Sequence, residues 1–178
     1  MTRVFAILLY VAAILALGSS PAAVAQEAKA PTLKYVLTYQ ADLAPAQWVA
    51  ENMRVTPVTG GWLKAAGGGT GTLVQPCGDW VTVLPGGTAK LDARCSVKMD
   101  DDSIVLVEYS GRVKLTEAGL AKAKKGEPFT SDDAYFIASP TMRTTSKKYA
   151  WVNDAVFVNK MVERGPTYVK YDTYMVVP

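Results

Sequence analysis

Charged and aromatic side chains alternate along a segment that is rich in strand-forming residues. Trp80, Asp92 and Arg94 share one face if the two strands that flank Pro85–Gly87 form a hairpin. The other face of this hairpin carries Asp79, Val81, Leu91 and Ala93. Asp92 and Arg94 can form either a structural ion pair or a polar cluster that recognises an oxygen-rich ligand inside a barrel, because buried charges persist mainly when they are paired.

A second alternating segment lies near the C-terminus. Tyr149, Trp151 and Asn153 share one face of a strand predicted over residues 148–159. Aromatic rings beside an amide can stack on a planar ligand and hydrogen-bond to its substituents. The simpler interpretation is an ordinary barrel core in which Asn153 bonds to a neighbouring backbone group. We predict that the two segments together form a ligand pocket inside the barrel, lined by Trp80, Asp92, Arg94, Trp151 and Asn153.

The chain contains no histidine, which excludes histidine-based triads and the usual histidine-containing metal sites. An acid or base must then be Asp, Glu, Tyr, Lys or Cys. Asp92 as base and Tyr149 as proton donor would suit isomerisation, cyclisation or elimination of a bound small molecule, with no metal and no cofactor. Three functions stay open: a small-molecule-binding protein, a cofactor-independent isomerase, cyclase or lyase, and a structural or interaction module with a filled core.

Residues 1–25 are predicted to be a signal peptide. Arg3 precedes the apolar run Val4–Leu17, and Ala23, Val24 and Ala25 supply the small residues of a cleavage site. The run is short for a bilayer span of roughly 20 residues. We therefore predict export to the periplasm or beyond, with no stable membrane insertion after cleavage; an uncleaved anchor is the alternative.

Residues 26–178 are predicted to form one domain of ordinary size. The whole chain has a formal net charge of +3. Such a small imbalance indicates no polyanionic partner, so we expect no nucleic-acid binding.

The two cysteines of the chain are placed where a hairpin could join them. If Pro85–Gly87 is a three-residue loop, Leu84 faces Thr88, and counting back along both strands brings Cys77 opposite Cys95. Opposed Cβ atoms lie about 4.5–5.5 Å apart, and an exported protein meets an oxidising environment. We predict a disulfide between these cysteines; two buried thiols are the alternative.

The remaining pattern predicts an all-β fold. Val, Thr and Tyr are frequent, and Gly or Pro interrupts them at short intervals. The predicted strands span residues 32–40, 52–58, 71–75, 79–84, 88–98, 103–115, 134–144, 148–159 and 168–177. One short helix is predicted over 117–124, with Thr116 as N-cap and Gly126 after its end. So little helix favours a single closed antiparallel β-barrel of eight or nine strands, which leaves no exposed edge.

Several ordered blocks of sequence carry a family resemblance. They include Cys77-Gly78-Asp79-Trp80, Leu91-Asp92-Ala93-Arg94 and Tyr149-Ala150-Trp151-Val152-Asn153. Together they resemble the DUF3237 family, also called UPF0311, over roughly residues 33–177. The resemblance implies a single β-barrel domain and no settled activity. Cys77 replaces the first Gly of the usual Gly-Gly-Asp-Trp block, which suggests a disulfide added to an exported member.

Overall fold

A computed structural model describes residues 29–178 of the chain. The predicted signal peptide over residues 1–25 lies outside the described residues. Within residues 29–178, no helix has the length and apolar character needed to cross a bilayer.

Most of the described chain is β-strand. The strands are β1 (Thr32–Leu43), β2 (Gln47–Ala50), β3 (Met53–Ala65), β4 (Thr70–Val83), β5 (Ala89–Met99), β6 (Ile104–Leu115), β7 (Phe129–Thr130), β8 (Ala134–Thr144), β9 (Phe157–Arg164) and β10 (Tyr168–Val177). The helix α1 (Glu117–Lys125) follows β6, and a 3-10 helix (Ala150–Asp154) precedes β9.

Eight strands close into an antiparallel barrel in the order β1-β10-β9-β8-β6-β5-β4-β3, and β3 pairs with β1 to complete the ring. The short strands β2 and β7 are additions that pair with β3 and β9. Buried and exposed residues alternate along the strands, so that each strand has an interior and an exterior face. In β5, Leu91, Ala93 and Val97 are buried while Asp92 and Arg94 are exposed. The predicted single antiparallel barrel with one short helix is confirmed.

The closing pair β1–β3 depends on a glycine. Gly61 has a φ of 135°, and a Cβ at this position would lie 2.1 Å from the carbonyl oxygen of Gln40. Only glycine allows the two backbones to approach so closely. The chain therefore continues as strand to Ala65, beyond the predicted end at residue 58, and a short turn leads to β4 at Thr70.

The predicted helix forms with the predicted caps. The Thr116 side chain accepts a hydrogen bond from the Gly119 amide at 3.1 Å, and Gly126 ends the helix with a φ of 72°. Gly119 has low helix propensity, but a Cβ there would lie 2.3 Å from the Asp133 carbonyl oxygen. A larger residue would push α1 away from the barrel.

The β4–β5 hairpin has the predicted register. The Leu84 amide donates to the Thr88 carbonyl at 2.8 Å, and Cys77 pairs with Cys95 across the two strands. Their Cα atoms are 4.2 Å apart, and the two sulfur atoms lie at disulfide-bonding distance. A bulge between Val74 and Cys77 joins the two predicted strands 71–75 and 79–84 into one.

The strand predicted over residues 148–159 is wrong. The Asn153 side chain accepts a hydrogen bond from the Thr144 amide at 2.9 Å and donates to the Thr144 carbonyl at 3.0 Å. These two bonds fold the segment back on the end of β8 as a 3-10 helix, and β9 begins only at Phe157. The alternation of residue types in this segment is typical of a strand, but the contact with Thr144 determines the backbone conformation.

Candidate functional site

The hairpin residues predicted to line the lumen lie on the outer surface of the barrel. The exposed fraction is 38% for Trp80, and 52% and 56% for the side chains of Asp92 and Arg94. The predicted grouping of residues by face is right, but the interior face is the other one, with Asp79 and Val81. Arg94 forms surface ion pairs instead of a lumen site, at 3.5 Å with Asp92 and 3.3 Å with Glu108.

The second predicted group is also outside the lumen. Trp151 is 40% exposed and packs edge-on against Phe157, with ring centroids 5.9 Å apart. Asn153 bonds to the Thr144 backbone, as the simpler interpretation predicted, but it is exposed on the 3-10 helix and not part of a barrel core. Tyr149 is buried, but its hydroxyl donates to Asp100 at 2.5 Å near the β5–β6 turn. The structure therefore does not bring Asp92 and Tyr149 together as a base and a proton donor.

The lumen itself has two halves. One half holds a cavity of about 700 Å³ that opens between the β4–β5 turn, α1 and the β9–β10 turn. In the other half a void of about 30 Å³ remains among apolar side chains such as Leu63, Leu73 and Val97. The barrel is therefore packed at one end, the closed end, and hollow at the other, the open end.

Asp79 is a carboxylate in the wall of the open end. It projects from β4, and its Oδ1 accepts a hydrogen bond from the backbone amide of Asp92 at 3.0 Å. Burial raises its pKa from 3.8 to about 6; this hydrogen bond and the positive charge of Arg54 oppose the shift in part. Asp79 therefore changes charge close to neutral pH.

Two arginines line the same cavity. Arg54 projects from β3 opposite Val81, with its guanidinium 5.4 Å from the centre of the Trp48 ring. Arg164 ends β9 and donates to the Tyr168 carbonyl at 3.1 Å. Burial lowers the pKa of both guanidinium groups. Among residues 29–178, neither has an ion-pair partner within 4.0 Å.

Aromatic rings form the floor of the cavity. Tyr171 is 1% exposed and stacks on Tyr39, with centroids 5.1 Å apart and an interplanar angle of 26°. Tyr109 and Phe136 meet Tyr171 edge-on at 6.1 and 5.5 Å. The Tyr39 hydroxyl accepts from Asn159 Nδ2 at 2.8 Å. Burial raises the pKa of all three tyrosines, so they are neutral hydrogen-bonding groups.

This arrangement can bind and polarise a small organic molecule. Two guanidinium groups and phenolic hydroxyls donate hydrogen bonds, and a carboxyl group with a pKa near 6 can accept or return a proton. Within residues 29–178, no cluster of three carboxylate or thiol side chains has the geometry of a metal site.

Sequence reasoning missed the lumen residues Arg54, Asp79 and Arg164, although Asp79 belongs to a block that was singled out. The signal was present in the hairpin. Asp79 is one carboxylate on a face whose other members, such as Val81 and Leu91, are apolar. A lone charge on an apolar face indicates a site inside a barrel better than charges on a polar face do. No such signal marks Arg54 or Arg164.

Comparisons with known proteins agree on one group of relatives. A family described as "Protein of unknown function (DUF3237)" matches residues 31–176. A UPF0311 protein of Bradyrhizobium diazoefficiens is 32% identical in an alignment of 135 residues that covers 72% of this chain and 87% of the relative. The crystal structure of a conserved protein of unknown function from Rhodopseudomonas palustris superposes with a TM-score of 0.77 at 27% identity, covering 84% of this chain and 99% of that one. A β-barrel-like protein from Acinetobacter baumannii gives a TM-score of 0.68 at 25% identity, covering 82% and 96%.

Proposed function

This chain belongs to the DUF3237 family, and we propose that it is an exported protein that binds a small aromatic or polyoxygenated molecule inside its barrel. The 700 Å³ cavity at the open end carries this proposal. Small-molecule sites are typically mostly apolar cavities with a few convergent polar groups. Arg54, Asp79 and Arg164 above an aromatic floor fit that description, whereas a structural module with a filled core would leave no such space.

A pair of variants on one strand tests binding in the lumen. Ala89 lines the cavity and Lys90, its neighbour on β5, points outward. Ala89→Trp should fill the opening and weaken binding of a ligand selected by thermal-shift screening of aromatic and polyhydroxylated compounds by about tenfold or more, since a clash or lost contact of 1.4 kcal/mol has that effect. Lys90→Trp should leave the affinity unchanged. Equal binding by both variants would place the ligand elsewhere.

Export is supported by the N-terminal pattern and by the pairing of Cys77 with Cys95 across β4 and β5, since disulfides persist in oxidising compartments. We expect the mature protein to begin near residue 26 and to show no free thiol when denatured without a reductant. N-terminal sequencing and a thiol titration of protein from the cell envelope measure both. An intact N-terminus with two free thiols contradicts export with oxidation.

The second candidate function is a cofactor-independent isomerase, cyclase or lyase that uses Asp79, not the predicted Asp92, as its base. The pKa of about 6 favours it, because a carboxyl group near its pKa can take a proton from a weak carbon or oxygen acid and return it. Incubation with a metabolite extract should then deplete a compound, and Asp79→Asn should abolish depletion while retaining binding. Depletion at an unchanged rate in Asp79→Asn would exclude this base.

A further inference from the structure

We propose that the ligand is an aromatic organic monoanion, whose carboxylate or similarly delocalised oxygen pair lies between Arg54 and Arg164. This inference rests on the proposed function and names the chemical class of its ligand. It follows from two arginines that line the cavity with a single inner carboxylate, Asp79, and that have no ion-pair partner within 4.0 Å among residues 29–178.

The charges that line the cavity do not balance. Positive charge comes from Arg54, Arg164 and Lys114, and negative charge from Asp79 and Glu127. Lys114 bonds to the Gly86 carbonyl at the rim and Glu127 is exposed, so the inner charges are those of Arg54, Arg164 and Asp79, a net charge of +1 when Asp79 is ionised. Charges removed from water are normally paired, because an isolated one is costly. A bound anion would supply the missing partner.

The two guanidinium groups line one cavity, to which Arg54 comes from β3 and Arg164 from the end of β9. A guanidinium group presents a planar fork that matches a carboxylate. Within residues 29–178, the Arg54 guanidinium lies over the Trp48 ring and makes no side-chain hydrogen bond, and Arg164 donates one, to the Tyr168 carbonyl. Among these residues, most of the N–H donors of both groups are therefore available to a ligand.

The ring of the ligand would rest on the aromatic floor. Tyr109, Phe136 and Tyr171 line the cavity, and Tyr171 already stacks on Tyr39. Aromatic pairs gain stability in offset or edge-on arrangements beyond the burial of their area. A cationic ligand of the same shape would meet the two guanidinium charges at short range and be repelled.

Three naphthalene probes of nearly equal shape test the charge. Isothermal titration calorimetry at pH 7.5 compares 2-naphthoate, neutral 2-naphthamide and cationic 2-naphthylmethylammonium on the mature protein. We expect naphthoate to bind about tenfold more tightly than naphthamide, the difference that a charge-assisted hydrogen bond produces, and the cation to show no binding. Arg54→Gln and Arg164→Gln should each remove this preference, and Arg94→Gln, on the outer surface, should retain it.

Each result decides a separate point. Equal affinity for naphthoate and naphthamide overturns the anion inference while lumen binding stands. A parallel loss of both affinities in Arg54→Gln and Arg164→Gln also overturns it, since the arginines would then only support the fold. If no probe binds, the aromatic monoanion is wrong as a ligand class, whereas the proposed function is judged separately by Ala89→Trp and Lys90→Trp.

Discussion

Asp79 and Asp100 belong to the same barrel, but the chain surrounds these two carboxylates very differently. At the closed end, Asp100 accepts hydrogen bonds from Lys148 at 2.8 Å, Tyr149 at 2.5 Å and the Thr70 amide at 3.3 Å. The bonds from Lys148 and Tyr149 lower its pKa to about 2. Asp79, at the open end, has one backbone donor, and burial raises its pKa to about 6.

The two ends differ in whether polar groups are bonded within the chain or left beside a cavity with few partners. At the closed end the chain satisfies its own charges, and Tyr149 covers Gly69 so closely that a Cβ there would lie 2.5 Å from the phenol oxygen. At the open end the chain leaves a carboxyl and two guanidinium groups with few partners beside a cavity. A protein tolerates such a cost mainly where another molecule supplies the partners.

The largest change in the free energy of unfolding is expected when a buried side chain of the closed end is removed. Tyr149→Ala removes a buried ring and the hydroxyl that bonds to Asp100, and it should lower the free energy of unfolding by about 3–5 kcal/mol, the usual range for a large aromatic residue. Urea unfolding measures the change. Tyr149→Phe keeps the ring and should lose less.

Ligand affinity provides the contrast for the same variant. Tyr149 does not line the 700 Å³ cavity, so folded Tyr149→Ala should bind ligand like the wild type. If Tyr149→Ala instead lost binding while its free energy of unfolding stayed at the wild-type value, Tyr149 would belong to the functional site, as we predicted from the sequence.

At the open end, Asp79→Asn should change the free energy of unfolding by a smaller amount and in the opposite direction. The pKa of folded Asp79 is about 6 and its ordinary value is 3.8, so the folded state holds this proton more tightly than the unfolded state. Its contribution to stability is therefore present below about pH 4 and is lost as the pH rises to about 6. Asp79→Asn removes the charge and should stabilise the protein at pH 7.5 by about 1–3 kcal/mol.

Thermal unfolding of Asp79→Asn and the wild type at pH 4 and pH 7.5 checks the sign of this change in stability. Near pH 4, where Asp79 is largely protonated, the variant and the wild type should melt at similar temperatures. Other carboxylates, such as Asp100 and Glu108, have lowered pKa values and affect both proteins equally. A variant that is less stable than the wild type at pH 7.5 would show that Asp79 supports the fold.

The same comparison explains what could be predicted from the sequence. Alternation in β8 and β10 predicted both strands with their correct ends, because one face is buried over most of β8 and over Val169–Thr173 of β10. Alternation groups residues by face but does not state which face is interior. We predicted Trp80 and Asp92 in the pocket because of their residue types. The apolar residues that share a face with Asp79 instead indicated which face is interior.

The parts of the site that escaped prediction depend on tertiary contacts. Arg54 and Arg164 lie more than a hundred positions apart in the chain, and only the closure of the barrel brings them to one cavity. The 3-10 helix at Asn153 likewise depends on its bonds to Thr144. A single sequence carries little trace of either arrangement.

The smallest effect is expected on the outer wall, where Asp92→Asn tests the corrected position of the hairpin. Asp92 and Arg94 are both more than half exposed, and Arg94 keeps Glu108 as a second partner. Exposed ion pairs contribute little, so the free energy of unfolding should change by less than about 0.5 kcal/mol. Ligand affinity should also stay close to the wild-type value, because Asp92 hydrogen-bonds to Asp79 through its backbone amide, which asparagine retains. Loss of binding in Asp92→Asn, with Asp79→Asn still binding, would reverse the assignment of the inner and outer faces on which the comparison of the two ends depends.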